Sequence, residues 1–168
     1  MVSLWLIPKP DSTMRNPILF CAFALAMATP AAAQLRTTKV ITLDGAKNIV
    51  AAAEAEAKKN GWNMAYAIVD VSGELILFHK GDGARPSNAE FALRKARTSA
   101  RYQRDSRLLD SAVTAGRIAY LATDALPIQG GVAVVVDGQV IGAVGVSGGT
   151  SQQDEQVAKA GIAALIQR

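Results

Sequence analysis

Between Val132 and Ser147 the chain reads VAVVV, then Asp137-Gly138, then QVIGAVGVS. Two apolar, β-branched runs around an Asp-Gly dipeptide specify an antiparallel hairpin, because those two residues tolerate the left-handed backbone that a tight hairpin turn demands. Gly142 and Gly145 interrupt the second run. A glycine inside a strand marks a bulge or the close approach of another backbone or a ligand.

An earlier segment repeats the pattern. Asn63 to Asp70 is apolar and β-branched, Val71-Ser72-Gly73 supplies turn chemistry, and Glu74 to Lys80 alternates Leu75, Leu77 and His79 against Ile76, Phe78 and Lys80. Helical spacing surrounds the two hairpins. Leu43, Ile49, Val50, Ala53 and Ala57 form one stripe, with Thr42 as N-cap and Gly61 as the stop. Ser87 and Glu90 form a capping box opening a helix through Arg101. Its quieter face carries Phe91, Ala92, Lys95, Ala96, Ser99 and Ala100, and Arg94, Arg97, Arg101 and Arg104 run along the other. A shorter helix is expected from Ser106 to Ala115, ended by Gly116, and a strand or buried extended segment from Ile118 to Ala122. The last helix follows Ser147-Gly148-Gly149-Thr150, with Thr150 and Gln153 in capping-box register. The fold class is α+β: an antiparallel sheet of two hairpins packed with flanking helices in a single compact domain.

Half the residues are apolar and 19% are charged, which fits one globular core. The net charge of +4 is spread over segments that also carry acids, and aromatics are 5% of the chain. Neither a phosphate-binding stripe nor a base-stacking surface emerges, so no nucleic-acid partner is expected.

Residues 1–33 read as upstream sequence and a cleavable signal peptide whose start is Met14. Arg15 is the positive n-region, Ile18 to Met27 the apolar h-region, and Ala31-Ala32-Ala33 the cleavage site before Gln34. The apolar run is about half the roughly 20 residues that span a bilayer, so no membrane span is expected after cleavage. The mature domain, 34–168, would work in the periplasm or be secreted. It would lose Cys21, the only cysteine, and therefore fold without a disulfide.

The glycine-rich turn Ser147-Gly148-Gly149-Thr150 would aim backbone N–H groups at an anion from a helix N-terminus. Lys95, on the quieter helix face, either snorkels to solvent or points into a pocket as a proton donor or anion anchor. His79 is the only histidine. One imidazole cannot build a zinc site, but it can be an axial haem ligand. Tyr66, Tyr102, Tyr120, Met64 and Thr150 could also approach an iron. There is no Cys-His pair, nucleophile elbow or histidine pair, so no catalytic machine is identified and the enzyme question stays open.

The hairpin from Ala67 to Gly73, the Asp82-Gly83-Ala84 loop, Lys95-Ala96-Arg97-Thr98 and the block from Gly130 to Gly161 resemble the GlcG/HbpS-like family, also described as haem-degrading-domain proteins and including the C-terminal domain of some corrinoid adenosyltransferases. The resemblance covers about Leu43 to Leu165. It implies haem as cofactor or ligand and a homo-oligomer, often an octamer. Two departures stand out: Val132-Ala133 follows Gly130-Gly131 where the family usually has a proline, and His79 stands near a position where many members have an arginine or another polar residue. Three functions follow as expectations. The first is an exported haem-binding protein for buffering, degradation or sensing, with the glycine-rich turn near a propionate and His79 or a tyrosine near the iron. The second is a cofactor-free enzyme or binder for a small carboxylate, held by Lys95, Gly130, Gly131 and the Ser147, Gly148, Gly149, Thr150 turn. The third is a non-catalytic partner of an extracytoplasmic sensor.

Overall fold

The structure is a computed structural model that describes residues 37–166. The expected signal peptide, with Met14 and Cys21, lies outside the described residues. The elements are α1 (Leu43–Lys59), β1 (Ala65–Asp70), β2 (Leu75–Lys80), α2 (Pro86–Tyr102), α3 (Ser106–Thr114), a 3-10 turn (Ile118–Ala122), β3 (Gly131–Val136), β4 (Gln139–Ser147) and α4 (Ser151–Ile166).

The four strands form one antiparallel sheet in the order β2-β1-β4-β3. Each hairpin forms where the turn chemistry puts it. Asp137 and Gly138 both adopt positive φ, 48° and 74°, matching the right-handed twist of the flanking strands. In the other hairpin the Asp70 carboxylate accepts the Ser72 and Glu74 N–H groups at 2.8 and 2.9 Å, an Asx turn.

The sheet's two faces differ in side-chain size. Tyr66, Ile68, Val134, Val144 and Val146 pack against α1 and α4 through Ile49, Ala53, Val157 and Ala158. Ala65, Ala67 and Ala143 on the opposite face meet Ala92, Ala96 and Ala100 of α2. Here the helix backbone lies directly on the strands. A Cβ built on Gly145 would sit 2.1 Å from the Ala92 carbonyl oxygen, and one on Gly131 would sit 2.2 Å from the Lys95 carbonyl oxygen. Neither position has room for any side chain.

Two local expectations are corrected. Helix α2 begins at Pro86, with Arg85 as a cap residue that makes no side-chain bond, so Ser87 and Glu90 form no capping box. Proline lacks the N–H that a cap would satisfy and presets helical φ, so the helix starts at once. The Ile118–Ala122 segment is neither strand nor buried: it is a 3-10 turn, with Ile118 68% and Leu121 63% exposed. The sheet already has its four strands, and the turn packs mainly against α3. The Thr42 cap holds, its Oγ1 accepting the Gly45 N–H at 3.1 Å, and so does the Thr150–Gln153 box, at 2.8 and 3.3 Å.

Candidate functional site

Lys95 points into the sheet side of α2 because its helical phase matches that of Ala92, Ala96 and Ser99. It is 3% exposed, and its Nζ donates to Asp154 Oδ2 at 2.6 Å and to the Val146 carbonyl at 3.3 Å. Asp154, 2% exposed, stands in the first turn of α4, and its Oδ1 accepts the Gly149 N–H at 2.9 Å. Burial pushes the Asp154 carboxyl above its ordinary range, while the Lys95 charge and the Gly149 and Gly148 N–H groups pull the other way.

This pair forms the floor of an open cavity of about 250 Å³ whose walls include Ser147, Gly148, Gly149, Asn88, Phe91 and Arg85. The expected Lys95, Ser147, Gly148 and Gly149 are thus brought together. Gly130 and Gly131 pack behind Lys95 and do not line the cavity: a Cβ on Gly130 would come within 2.8 Å of Nζ. Thr150 is exposed and serves as the α4 cap.

The residue that sequence reasoning missed is Asp154, and it changes the electrostatics. The glycine-rich turn does hold an anion, but that anion is the protein's own carboxylate. Lys95 is neutralised by the same group. An acid one turn into a helix after Gly-Gly-Thr can reach back to the helix N-terminus, which was the available signal. Asn88 was also missed. It lines the cavity and is 6% exposed, and its Nδ2 is buried with no hydrogen-bond partner.

The structure does not bring His79 to this cavity. It pairs with Tyr66 across β1 and β2 and therefore lies on the α1/α4 face, opposite α2. Its ring stacks on Tyr66, with centroids 5.8 Å apart, and its Nε2 lies 3.6 Å from Glu54 Oε1 without a hydrogen bond. Glu54 is held below its ordinary carboxyl range, first by the Lys58 hydrogen bond and then, against some desolvation, by the Lys58 and His79 charges. Burial raises the Tyr66 phenol to about 12, with Glu54 adding to the shift, so this tyrosine stays protonated and is a poor anionic iron ligand. Met64 is buried beneath the turn at Gly148 and Gly149. Tyr102 and Tyr120 form an edge-on pair, centroids 6.1 Å apart, on the far side of α2. Among the described residues no cluster of three His, Cys, Asp or Glu is placed to hold a metal ion, and no helix is long and apolar enough to cross a membrane.

Residues 41–163 match the family described as haem degrading protein HbpS-like. Protein GlcG of Escherichia coli K12 is 42% identical over 114 residues, covering 67% of this chain and 85% of that protein. The crystal structure of a double mutant of Streptomyces reticuli HbpS superposes with a TM-score of 0.71 at 30% identity, covering 77% of this chain and 90% of that one. The crystal structure of a PduOC–haem complex gives 0.69 at 26% identity, covering 75% and 95%.

Proposed function

This chain belongs to the HbpS-like family of haem-degrading proteins, and on that premise we propose that it is a haem-binding protein working outside the cytoplasm as a homo-oligomer. The observation that carries the reading is the shared fold with HbpS and with PduOC solved in complex with haem. When bound, haem supplies redox-active iron. The chain's part is to hold its carboxylates, cover its apolar ring and offer an axial group.

The residues present are compatible with a surface site rather than an enclosed one. The cavity over Lys95 and Asp154, about 250 Å³, lies below the roughly 300–1,000 Å³ of pockets that engulf drug-sized ligands. Two groups are candidates for the axial position: the Tyr102–Tyr120 pair, and His79, whose Nε2 is shielded from solvent and makes no hydrogen bond, so that it would reach an iron only if its ring turned. Hemin titration of the mature protein tests the function. A saturable Soret shift at micromolar protein is expected, and a flat titration would overturn the reading. His79→Ala then assigns the face: a weakened, shifted spectrum places the iron at His79, and an unchanged one moves it to the tyrosines. Mass spectrometry of the exported species tests the location, with Gln34 expected as the first residue. Sedimentation tests the assembly.

A second reading, a binder of a small carboxylate in the Lys95 cavity, is favoured by the unpartnered Asn88 donor. Asp154 weakens it by neutralising Lys95.

A further inference from the structure

On the side of α2 turned away from the sheet, Arg94, Arg97 and Arg101 follow one another at single-turn spacing. They line a cleft of about 210 Å³ whose rim includes Glu90, Tyr102 and Asp124. Two of these guanidiniums are held in place by main chain. Arg97 Nε donates to the Gly73 carbonyl and Arg101 Nε to the Ser72 carbonyl, both at 3.2 Å, so the β1–β2 turn braces both side chains. Bonding through Nε leaves the terminal N–H groups of Arg97 free for an oxyanion. A fixed guanidinium fork matches a carboxylate in a way that a flexible ammonium cannot. Arg94 has no hydrogen-bond or ion-pair partner among the described residues.

Three cations here face two carboxylates, Glu90 and Asp124, which leaves one positive charge in excess. Arg101 donates to Asp124 Oδ2 at 3.0 Å, but both side chains are largely exposed. A pair screened in this way yields readily to a competing carboxylate.

Beside the cleft the surface turns apolar. Tyr102 lines the cleft and meets Tyr120 edge-on, Arg117 lies 5.0 Å over the Tyr120 ring, and Ile118 and Leu121 project into solvent. Exposed apolar side chains next to a basic cleft suit a flat apolar ligand that carries carboxylates at one edge. His79, by contrast, has its Nε2 shielded from solvent, 3.6 Å from Glu54 Oε1. We propose that haem docks here by its propionates, held by Arg94, Arg97 and Arg101, with its macrocycle against the Tyr102–Tyr120 pair and Leu121. The site rests on the haem-binding reading above and adds to it a location.

The test compares hemin with its iron-containing dimethyl ester, in which both carboxylates are blocked. Wild type is expected to bind hemin about tenfold or more tightly than the ester, the scale of losing one charge-assisted contact. Arg94→Ala and Arg97→Ala should weaken hemin binding and leave the ester nearly unaffected, so the two affinities converge. Arg94 braces nothing in the fold, so its variant keeps the test decisive if Arg97→Ala unfolds the β1–β2 turn. Hemin and ester binding equally to wild type would overturn the site, as would hemin affinity unchanged in Arg94→Ala and in a folded Arg97→Ala. Both results leave haem binding itself intact. No hemin binding to wild type overturns the functional reading and this site with it.

Discussion

Lys95 Nζ and Asp154 Oδ2 lie 2.6 Å apart with both side chains almost wholly shielded from water, so the helix on one face of the sheet is tied by charge to the helix that leaves β4. Removing one partner strands the other charge in a low-dielectric site, at about 3–5 kcal/mol. Asp154→Ala should therefore lose stability on that scale in urea unfolding. Lys95→Met combined with Asp154→Leu should recover most of it, since a buried ion pair replaced by apolar groups of similar size is often neutral. Additive losses in the double variant would show that the pair is not the cause.

The strand glycines make a steric prediction. Gly145→Ala drives a methyl group into the Ala92 carbonyl, and Gly142→Ala drives one into the Val69 carbonyl at 2.3 Å. Overpacking of this kind costs about 1–3 kcal/mol or more. Gly61 has open space around its Cβ position and only its φ of +72° to oppose a side chain, about 1–2 kcal/mol for a left-handed residue. Thermal unfolding should rank Gly145→Ala below Gly61→Ala, and equal melting temperatures would refute the close contact.

Glu155 carries the clearest pH dependence. Burial raises its carboxyl, but hydrogen bonds from Lys159 and Gln129 and the charges of Lys159 and Arg107 outweigh that and leave it below the usual value of 4.5. A depressed carboxyl contributes stability above its unfolded value and loses it as pH falls through the folded one. Wild type should exceed Glu155→Gln by about 1.5–3 kcal/mol near neutrality, the usual worth of charged hydrogen bonds. The gap should close in acid, below pH 4.5. A gap that stays constant down to strong acid would contradict the assignment.

Tyr66 should ionise late, because burial disfavours its phenolate. Because folding raises its ionisation from 10.0 to about 12, the buried phenol's contribution to stability is whole below the unfolded value and is lost as pH rises from there through the folded one. Ultraviolet titration of wild type should show a late step at about 12 that Tyr66→Phe removes. A titration curve unchanged by Tyr66→Phe in that region would show the phenol to be exposed.

Much of this fold was legible because its signals are local. Asp137-Gly138 dictates its own turn whatever surrounds it, and Thr42 and Thr150 cap the helices that follow them. The start of α2 was misjudged because Ser87 and Glu90 have cap spacing while Pro86 supplies a start that needs no cap. Ile118 to Ala122 was misjudged because an apolar run reads as buried, and whether a sheet has room for a further strand is a non-local fact. The site was half legible. Lys95 could be placed on its helix face, but its partner stands 59 positions away in sequence, and only the packing of α2 across β4 brings them together.

The direct seating of α2 on the sheet has a kinetic consequence. Most helices rest on strands through a layer of interdigitating side chains, which can re-sort when the helix slides or rolls. Here the Ala92 and Lys95 carbonyls stand over Gly145 and Gly131 with no such layer between, so there is nothing to re-sort. The middle of α2 can separate from β4 only by coming away as a unit. Its amides belong with those of β1 and β4 in one cooperative block, exchanging with solvent only when the domain opens as a whole. Arg94 and Arg97, on the outer side of that helix, are then mounted on the stretch whose backbone rests directly on the sheet.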